Sequence, residues 1–297
     1  MNIDGKLISC KICGSPNVKP TFHALKCYDC GVLLYFPYPE VISTNLETDK
    51  ESREAYSLSW YKRSSKRNHV NFTNMFLFAI ENPEEFYMQQ MNILDFGGGG
   101  GQFAFICKSF LPLSNVYISD IDDFGLLQQY RCINNQILWN NFESDQTKFD
   151  FIFLNDVFEH VDDPLKTLEI LKSKLNIGGK IFIDTPKQFW LYPFLKISNK
   201  LLYKKLLTGT VSRSHLQIWS KKSFYYIVEK AGLKVDNFTE VSEFTMPAKH
   251  YLKNFGIKNK FIQIVGVVFY RFAKLLSKNK IMGLLSENNN ELLKSNQ

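Results

Sequence analysis

Apolar residues in this chain gather into short runs separated by segments of helical period. Ile93, Leu94 and Phe96 form one run, broken by the single acid Asp95. Asn115–Asp120 (NVYISD) forms a second that ends on an acid, and Gln136–Leu138 a short third. Phe149–Leu154 (FDFIFL) is apolar apart from Asp150, and Lys180–Asp184 follows. Runs of this length read as buried strands. Between and after them, Phe103–Cys107, Leu165–Leu175 and Ser223–Ala231 read as helices. Asp162-Asp163-Pro164 caps the second helix and Gly178-Gly179 stops it. Strands alternating with helices predict a parallel sheet with helices on both faces.

Five consecutive glycines, Gly97–Gly101, join the first strand to the first helix. Without a Cβ they allow positive φ and close approach of a ligand to the backbone. The helix start behind them offers free N–H groups to an anionic group. Asp120 lies 19 residues past Gly101. An acid near 20 residues beyond such a turn accepts hydrogen bonds from ribose hydroxyls in nucleotide-binding βαβ units. Asp122 and Asp123 are rivals for that role.

The cysteines add a second organising feature. Cys10 and Cys13 form one CxxC pair, Cys27 and Cys30 another, with thirteen residues between them. Two such knuckles complete a tetrahedral Cys₄ site, with zinc as the expected ion. Gly14 and Gly31 follow the pairs where tight turns need a permissive residue. Two disulfides are the alternative, disfavoured because nothing points to an oxidising compartment. Cys107 and Cys132 sit in apolar segments and read as packing residues. Residues 1–47 hold four Lys and four Asp/Glu, so the ribbon has no basic footprint for nucleic acid.

Composition fits a folded protein, with 45% hydrophobic and 22% charged residues and 26 Phe for an aromatic core. No signal peptide is evident and no apolar run reaches the ~20 residues of a membrane span, so the cytoplasm is the expected compartment. The net charge of +7 is confined to one end: residues 249–297 hold nine Lys/Arg and two Asp/Glu, and the rest is balanced. Phe261–Leu276 reads as an amphipathic helix with Gln263, Tyr270, Arg271, Lys274 and Lys278 on one side. It can pack on the domain or lie on an anionic membrane surface, so residues 261–280 are a candidate peripheral membrane contact. Lys62, Arg63, Lys66 and Arg67 read as a solvated helix face. The end, Ser286–Gln297, reads as a disordered tail.

The blocks LDFGGGGGQF, the strand ending at Asp120, FDFIFLNDVFEHVDDP and LNIGGKIFIDTP stand in a family order. Together they resemble a class I S-adenosylmethionine-dependent methyltransferase over roughly Met91–Val241. The CxxC pairs ahead of them resemble a bacterial subgroup with an N-terminal zinc ribbon, often found in sugar, polysaccharide or natural-product biosynthesis. The implied fold is α/β: a Rossmann-like doubly wound sheet with a small N-terminal zinc ribbon and a helical C-terminal extension. The expected divisions are a ribbon over 1–45, a helical connector over 46–90, the methyltransferase domain over 91–245 with a substrate-cap insertion at 187–212, and a basic helical tail over 246–297. The resemblance implies that Asp95, Gly97, Gly99 and Gly101 line the methionine part of the cofactor and that Asp120 binds its ribose. It places Asn141 near the adenine and Asn155 and Asp156 on the methionine and substrate side.

Gly99-x-Gly101-x-x-Ala104 also satisfies the dinucleotide fingerprint. Asp95 argues against NAD, because a carboxylate there would face a pyrophosphate, whereas S-adenosylmethionine brings an ammonium. Methyl transfer to a hydroxyl needs a base, and His160 and His215 are the candidates. The reading is an S-adenosylmethionine-dependent methyltransferase, with Zn²⁺ in its ribbon. Its acceptor would be a small molecule such as a sugar nucleotide, glycan or lipid-linked intermediate. The alternatives are a zinc-ribbon RNA methyltransferase, against which the neutral ribbon speaks, and a non-catalytic cofactor-fold scaffold.

Overall fold

The computed structural model describes residues 2–3, 6–21, 24–36, 58–121, 133, 135–137, 141–188, 215–243, 259–276 and 278–288. Asp122, Asp123, Cys132, most of the expected cap and the last nine residues lie outside them, as do the side chains of Lys62, Arg63, Lys66 and Arg67.

β1 (Asn2–Ile3) and β2 (Lys6–Leu7) pair as an antiparallel ribbon. β3 (Val18–Thr21), β4 (Ala24–Cys27) and β5 (Leu33–Tyr35) form the ribbon sheet. Gly14 and Gly31 take φ of 74° and 85°, as the knuckle turns require. The long helix α1 (Leu58–Ala79) and the short α2 (Pro83–Phe86) lead into β6 (Asn92–Phe96). Then come α3 (Gln102–Phe110), β7 (Asn115–Ser119), β8 (Asn135–Gln136) and β9 (Phe149–Asn155). α4 (Pro164–Ser173) opens on Asp163, whose side chain accepts from the Lys166 N–H at 3.0 Å, with Pro164 in the first turn. β10 (Leu175–Pro186), β11 (Gln217–Ile218), α5 (Lys221–Lys230), β12 (Leu233–Val241), α6 (Lys260–Leu276) and β13 (Lys280–Glu287) complete the order.

The central sheet runs β12-β13-β10-β9-β6-β7-β8. β9, β6, β7 and β8 pair in parallel, as do β9 and β10, while β13 is antiparallel to both its neighbours. Chain order reverses between β6 and β9, and ligands bind beyond the carboxyl ends of strands at such a point. Alternation along the strands feeds two cores. Leu94, Phe96, Ile152, Leu154, Ile181 and Ile183 face one side, with Leu168 and Leu171 of α4 and Phe224 and Ile227 of α5. Ile93, Phe151, Phe153 and Phe182 face the other, with Phe103 and Ile106 of α3 and Met75 and Phe76 of α1. This is the α/β doubly wound architecture read from the sequence, with the ribbon at its N-terminal end.

Three expected boundaries move. The tail over 246–297 is not helical throughout. Residues 280–287 are a strand of the sheet, paired on both sides between β12 and β10, with Ile281 and Leu285 on one face and Met282 and Leu284 on the other. A strand covered on both faces reads as an unbroken apolar run and carries no alternation. Gly283 is needed there, since a Cβ would stand 2.6 Å from the Phe224 ring. The connector does not stop short of the domain: Met75, Phe76 and Ile80 are buried in its core, and Phe76 stacks on Phe110 at 4.8 Å. Nor does the ribbon end with its own segment, because β11 pairs antiparallel with β5 and supplies the fourth strand of the ribbon sheet.

Candidate functional site

The glycine turn closes tightly over the end of β6. Gly97, Gly99 and Gly101 have φ of 74°, 49° and 84°. A Cβ on Gly97 would lie 2.4 Å from Val157, and one on Gly98 would lie 2.7 Å from the Asp95 carboxylate. Asp95 is buried at the end of β6, and its Oδ2 accepts from the Ala104 N–H at 3.2 Å in the first turn of α3. Burial pushes its carboxyl up to about 7; the Ala104 N–H opposes this and the Asp120 charge adds to it. Asp120, just past β7, accepts from the Gly99 N–H at 2.8 Å. Asn155 closes β9 with its side-chain amide buried beside the Asp95 carboxylate, a contact that favours the charged form of that acid.

The structure therefore gathers Asp95, Gly97, Gly99, Gly101, Asp120 and Asn155 at the reversal point. A buried amide, two carboxylates and a turn that tolerates no side chain suit a cationic amino acid joined to a ribose. Asp156 follows with φ 54°, the left-handed value that few non-glycine residues take. Asn141 is exposed in the turn after β8, its carbonyl accepting from the Asp145 N–H and the Ser144 hydroxyl. No hydrogen bond among the described residues joins it to the glycine turn.

Beyond β9 the chain brings the two candidate bases together. The rings of His160 and His215 meet edge to face at 4.8 Å. Glu159 Oε1 lies 3.6 Å from His160 Nε2, and its Oε2 accepts from the Thr185 hydroxyl at 3.0 Å. Glu159 is fully buried, and burial, then the Asp156 charge, push its carboxyl well above the ordinary range. The ligand atoms of Glu159, His160 and His215 lie within 4.8 Å of one another, so the trio can also receive a cation.

His215 is held there by backbone contacts on both sides of the following residues. The Leu216 N–H donates to the Glu159 carbonyl at 2.8 Å, and the Tyr35 N–H donates to the Leu216 carbonyl at 2.8 Å. Gln217 spans Phe158 and Val161 with its amide. The ribbon thus grips the segment that carries His215.

One group of charges was invisible in the sequence pattern. Lys280, at the start of β13, reaches Asp156 at 2.8 Å, Asp184 at hydrogen-bond contact and Glu243 at 3.7 Å. Its amine is buried, yet the three carboxylates hold it charged. Asp184 is fully buried and pushed well above the carboxylate range by that burial. The four residues come from four segments, so no spacing in the chain announces them.

Cys10, Cys13, Cys27 and Cys30 converge as the spacing requires, with all four Sγ within 4.8 Å of one another. Cys10–Cys30 and Cys13–Cys27 are separated by 3.7 and 3.6 Å. A tetrahedron with metal–sulfur bonds of about 2.3 Å has edges of about 3.8 Å, whereas a disulfide needs about 2.05 Å. The spacing fits a single metal ion, and the four thiols are not bonded to one another.

The sequence model of a family described as a methyltransferase domain matches residues 65–237, more than half of the chain. A tRNA U34 carboxymethyltransferase of Campylobacter hominis is 33% identical over 101 residues, 31% of this chain and 33% of that one. The chain thus spans about a third of the length of that relative. A ubiquinone biosynthesis O-methyltransferase of Coxiella burnetii is 24% identical over 206 residues, 62% of this chain and 86% of that one. Among solved structures, a cyclopropane synthase of Mycobacterium tuberculosis superposes with a TM-score of 0.47 at 13% identity, over 70% of this chain and 82% of that one.

Proposed function

The chain belongs to that methyltransferase-domain family, and from this premise we propose that it moves a methyl group from S-adenosylmethionine to a hydroxyl of a small molecule. A sugar or glycan intermediate, free, nucleotide-linked or lipid-linked, is the acceptor class we assign. The observation that carries the reading is the convergence of Asp95, Asp120 and Asn155 around the glycine turn.

When bound, the cofactor supplies a methyl group already activated on a sulfonium. Asp95 and Asn155 would hold its amino-acid end, and Asp120 would exchange the Gly99 N–H for ribose hydroxyls. The protein's remaining tasks are to aim the acceptor in line with the methyl carbon and to take up its proton. His160 is half-exposed and would accept that proton, with the buried Glu159 carboxyl 3.6 Å behind its ring orienting it. His215 would orient the His160 ring from its edge. Asn141 is kept as a candidate adenine neighbour. Cys10, Cys13, Cys27 and Cys30 would hold one Zn²⁺ as a structural staple.

The test is calorimetry with S-adenosylmethionine, then label transfer to a panel of nucleotide sugars. Asp120→Ala should weaken cofactor binding by about 1–3 kcal/mol, the scale of a lost hydrogen bond to a charged group. No cofactor uptake by metal-replete protein would reject the reading. A second reading, methyl or carboxymethyl transfer to RNA, draws on the identity to the tRNA relatives. The neutral ribbon argues against it, and a salt-dependent gel shift with tRNA would favour it.

A further inference from the structure

α6 turns the wrong side outward for a helix that belongs only to this domain. Phe261, Ile262, Ile264, Val265 and Val268 are between 51% and 74% exposed. Gln263, Gly266 and Val267 are partly covered instead. At about 100° per residue the five exposed residues fall within about 160° of one another. Lys260, exposed at the start of the helix, Arg271 and Lys274 fall at wheel positions between that arc and Gln263. Lys278, just past the helix end, is exposed as well.

We propose that this face of α6 docks on an anionic lipid bilayer. Charge selects the occupant. Leaving out the buried Lys280, the chain from Lys249 to Asn279 holds seven Lys/Arg and no Asp/Glu. A second copy laid on the same face would bring like charges together, whereas anionic headgroups complement them while the apolar arc enters the acyl boundary. The helix is an interfacial one: among the described residues no helix is long and apolar enough to cross a membrane.

The docking has a geometric consequence. α6 ends four residues before Lys280, which pairs with Pro186 at the carboxyl end of β10. Lys280 also holds Asp156. The bilayer would therefore lie next to the edge of the sheet where the candidate site opens, which suits an acceptor carried by a lipid. The docking itself does not depend on the methyl-transfer reading.

The test is flotation of the full, metal-replete chain with vesicles of phosphatidylcholine alone or mixed with phosphatidylglycerol. Binding should be about tenfold stronger on the mixed vesicles and should weaken as salt is added. The double variant Val265→Glu, Val268→Glu changes only exposed positions and should lose about tenfold or more of that binding, with circular dichroism unchanged. Equal flotation of variant and parent, or no flotation of the parent, overturns the proposal. So does a dimer in sedimentation that the same substitutions dissociate while neither form binds vesicles.

Discussion

The two halves of the candidate site are built in different ways. The cofactor half comes from one stretch, residues 95–120, plus the end of β9. A strand, a glycine turn, a helix and a second strand place Asp95 and Asp120 with no help from distant chain. The acceptor half is assembled from afar. Glu159 and His160 follow β9, His215 arrives about 55 residues later through pairing with the ribbon, and Lys280 arrives from the last strand. The first half depends on local backbone chemistry. The second depends on the ribbon and on β13 being in place. Damage to a remote staple should therefore cripple acceptor chemistry before it touches cofactor binding.

The sharpest way to break this contrast is to disable the four-sulfur site proposed to hold zinc. Structural zinc contributes on the order of 10–16 kcal/mol to small metal domains. Cys27→Ser, or exhaustive chelation, should unfold the ribbon sheet and release β11 and His215. Methyl transfer should fall by at least about tenfold while cofactor affinity holds within about threefold. Equal loss of both quantities would show that the halves are not separable.

A smaller effect is expected at Lys280. Lys280→Met leaves the buried Asp184 and Glu243, and Asp156 beside them, without their cation. Breaking a buried pair by removing one partner costs about 3–5 kcal/mol, which thermal and urea unfolding would read. The pH dependence has a definite sign. Asp184 already has a raised carboxyl, and losing Lys280 raises it further. The folded variant keeps protons that the unfolded chain releases, so its stability should rise on acidification and fall as pH increases. Lys280→Arg should recover most of the loss. A variant as stable as the parent across pH would remove Lys280 from the account of the acceptor half.

The smallest effect belongs to the cofactor half. Asp95 is held at about 7 in the free protein, mainly by burial. A bound ammonium favours the carboxylate, so cofactor affinity should weaken as pH falls through that value. The limiting slope is about tenfold per pH unit. Calorimetry from pH 8 down to about pH 6 would show it, and Asp95→Asn should flatten the curve. A flat curve in the parent would place the ammonium elsewhere.

What could be read from the chain follows the same division. Gly97–Gly101 announced a turn because only glycine takes positive φ there without cost, and the structure shows φ of 74°, 49° and 84° at three of the five. The CxxC pairs announced convergence because each knuckle fixes two sulfurs by itself. Asp120 was marked by its distance from the turn, and it lies on the Gly99 N–H. His160 and His215 were legible as candidates but not as neighbours.

The amino-acid sequence by itself determined the alternating strands and helices, the turn that a cofactor can approach and the four sulfurs of the ribbon. These are short-range properties, fixed by backbone freedom and by spacing along a few turns of chain. Only the tertiary structure decided that residues 280–287 are a strand inserted between β12 and β10 and that β11 belongs to the ribbon sheet. Only it placed Lys280 among three carboxylates and left five apolar residues of α6 uncovered. Five apolar residues in a row suit a buried strand or a buried helix equally well. The pairing of segments far apart in the chain resolves that choice, and its cost in loop closure is repaid only when the whole sheet assembles.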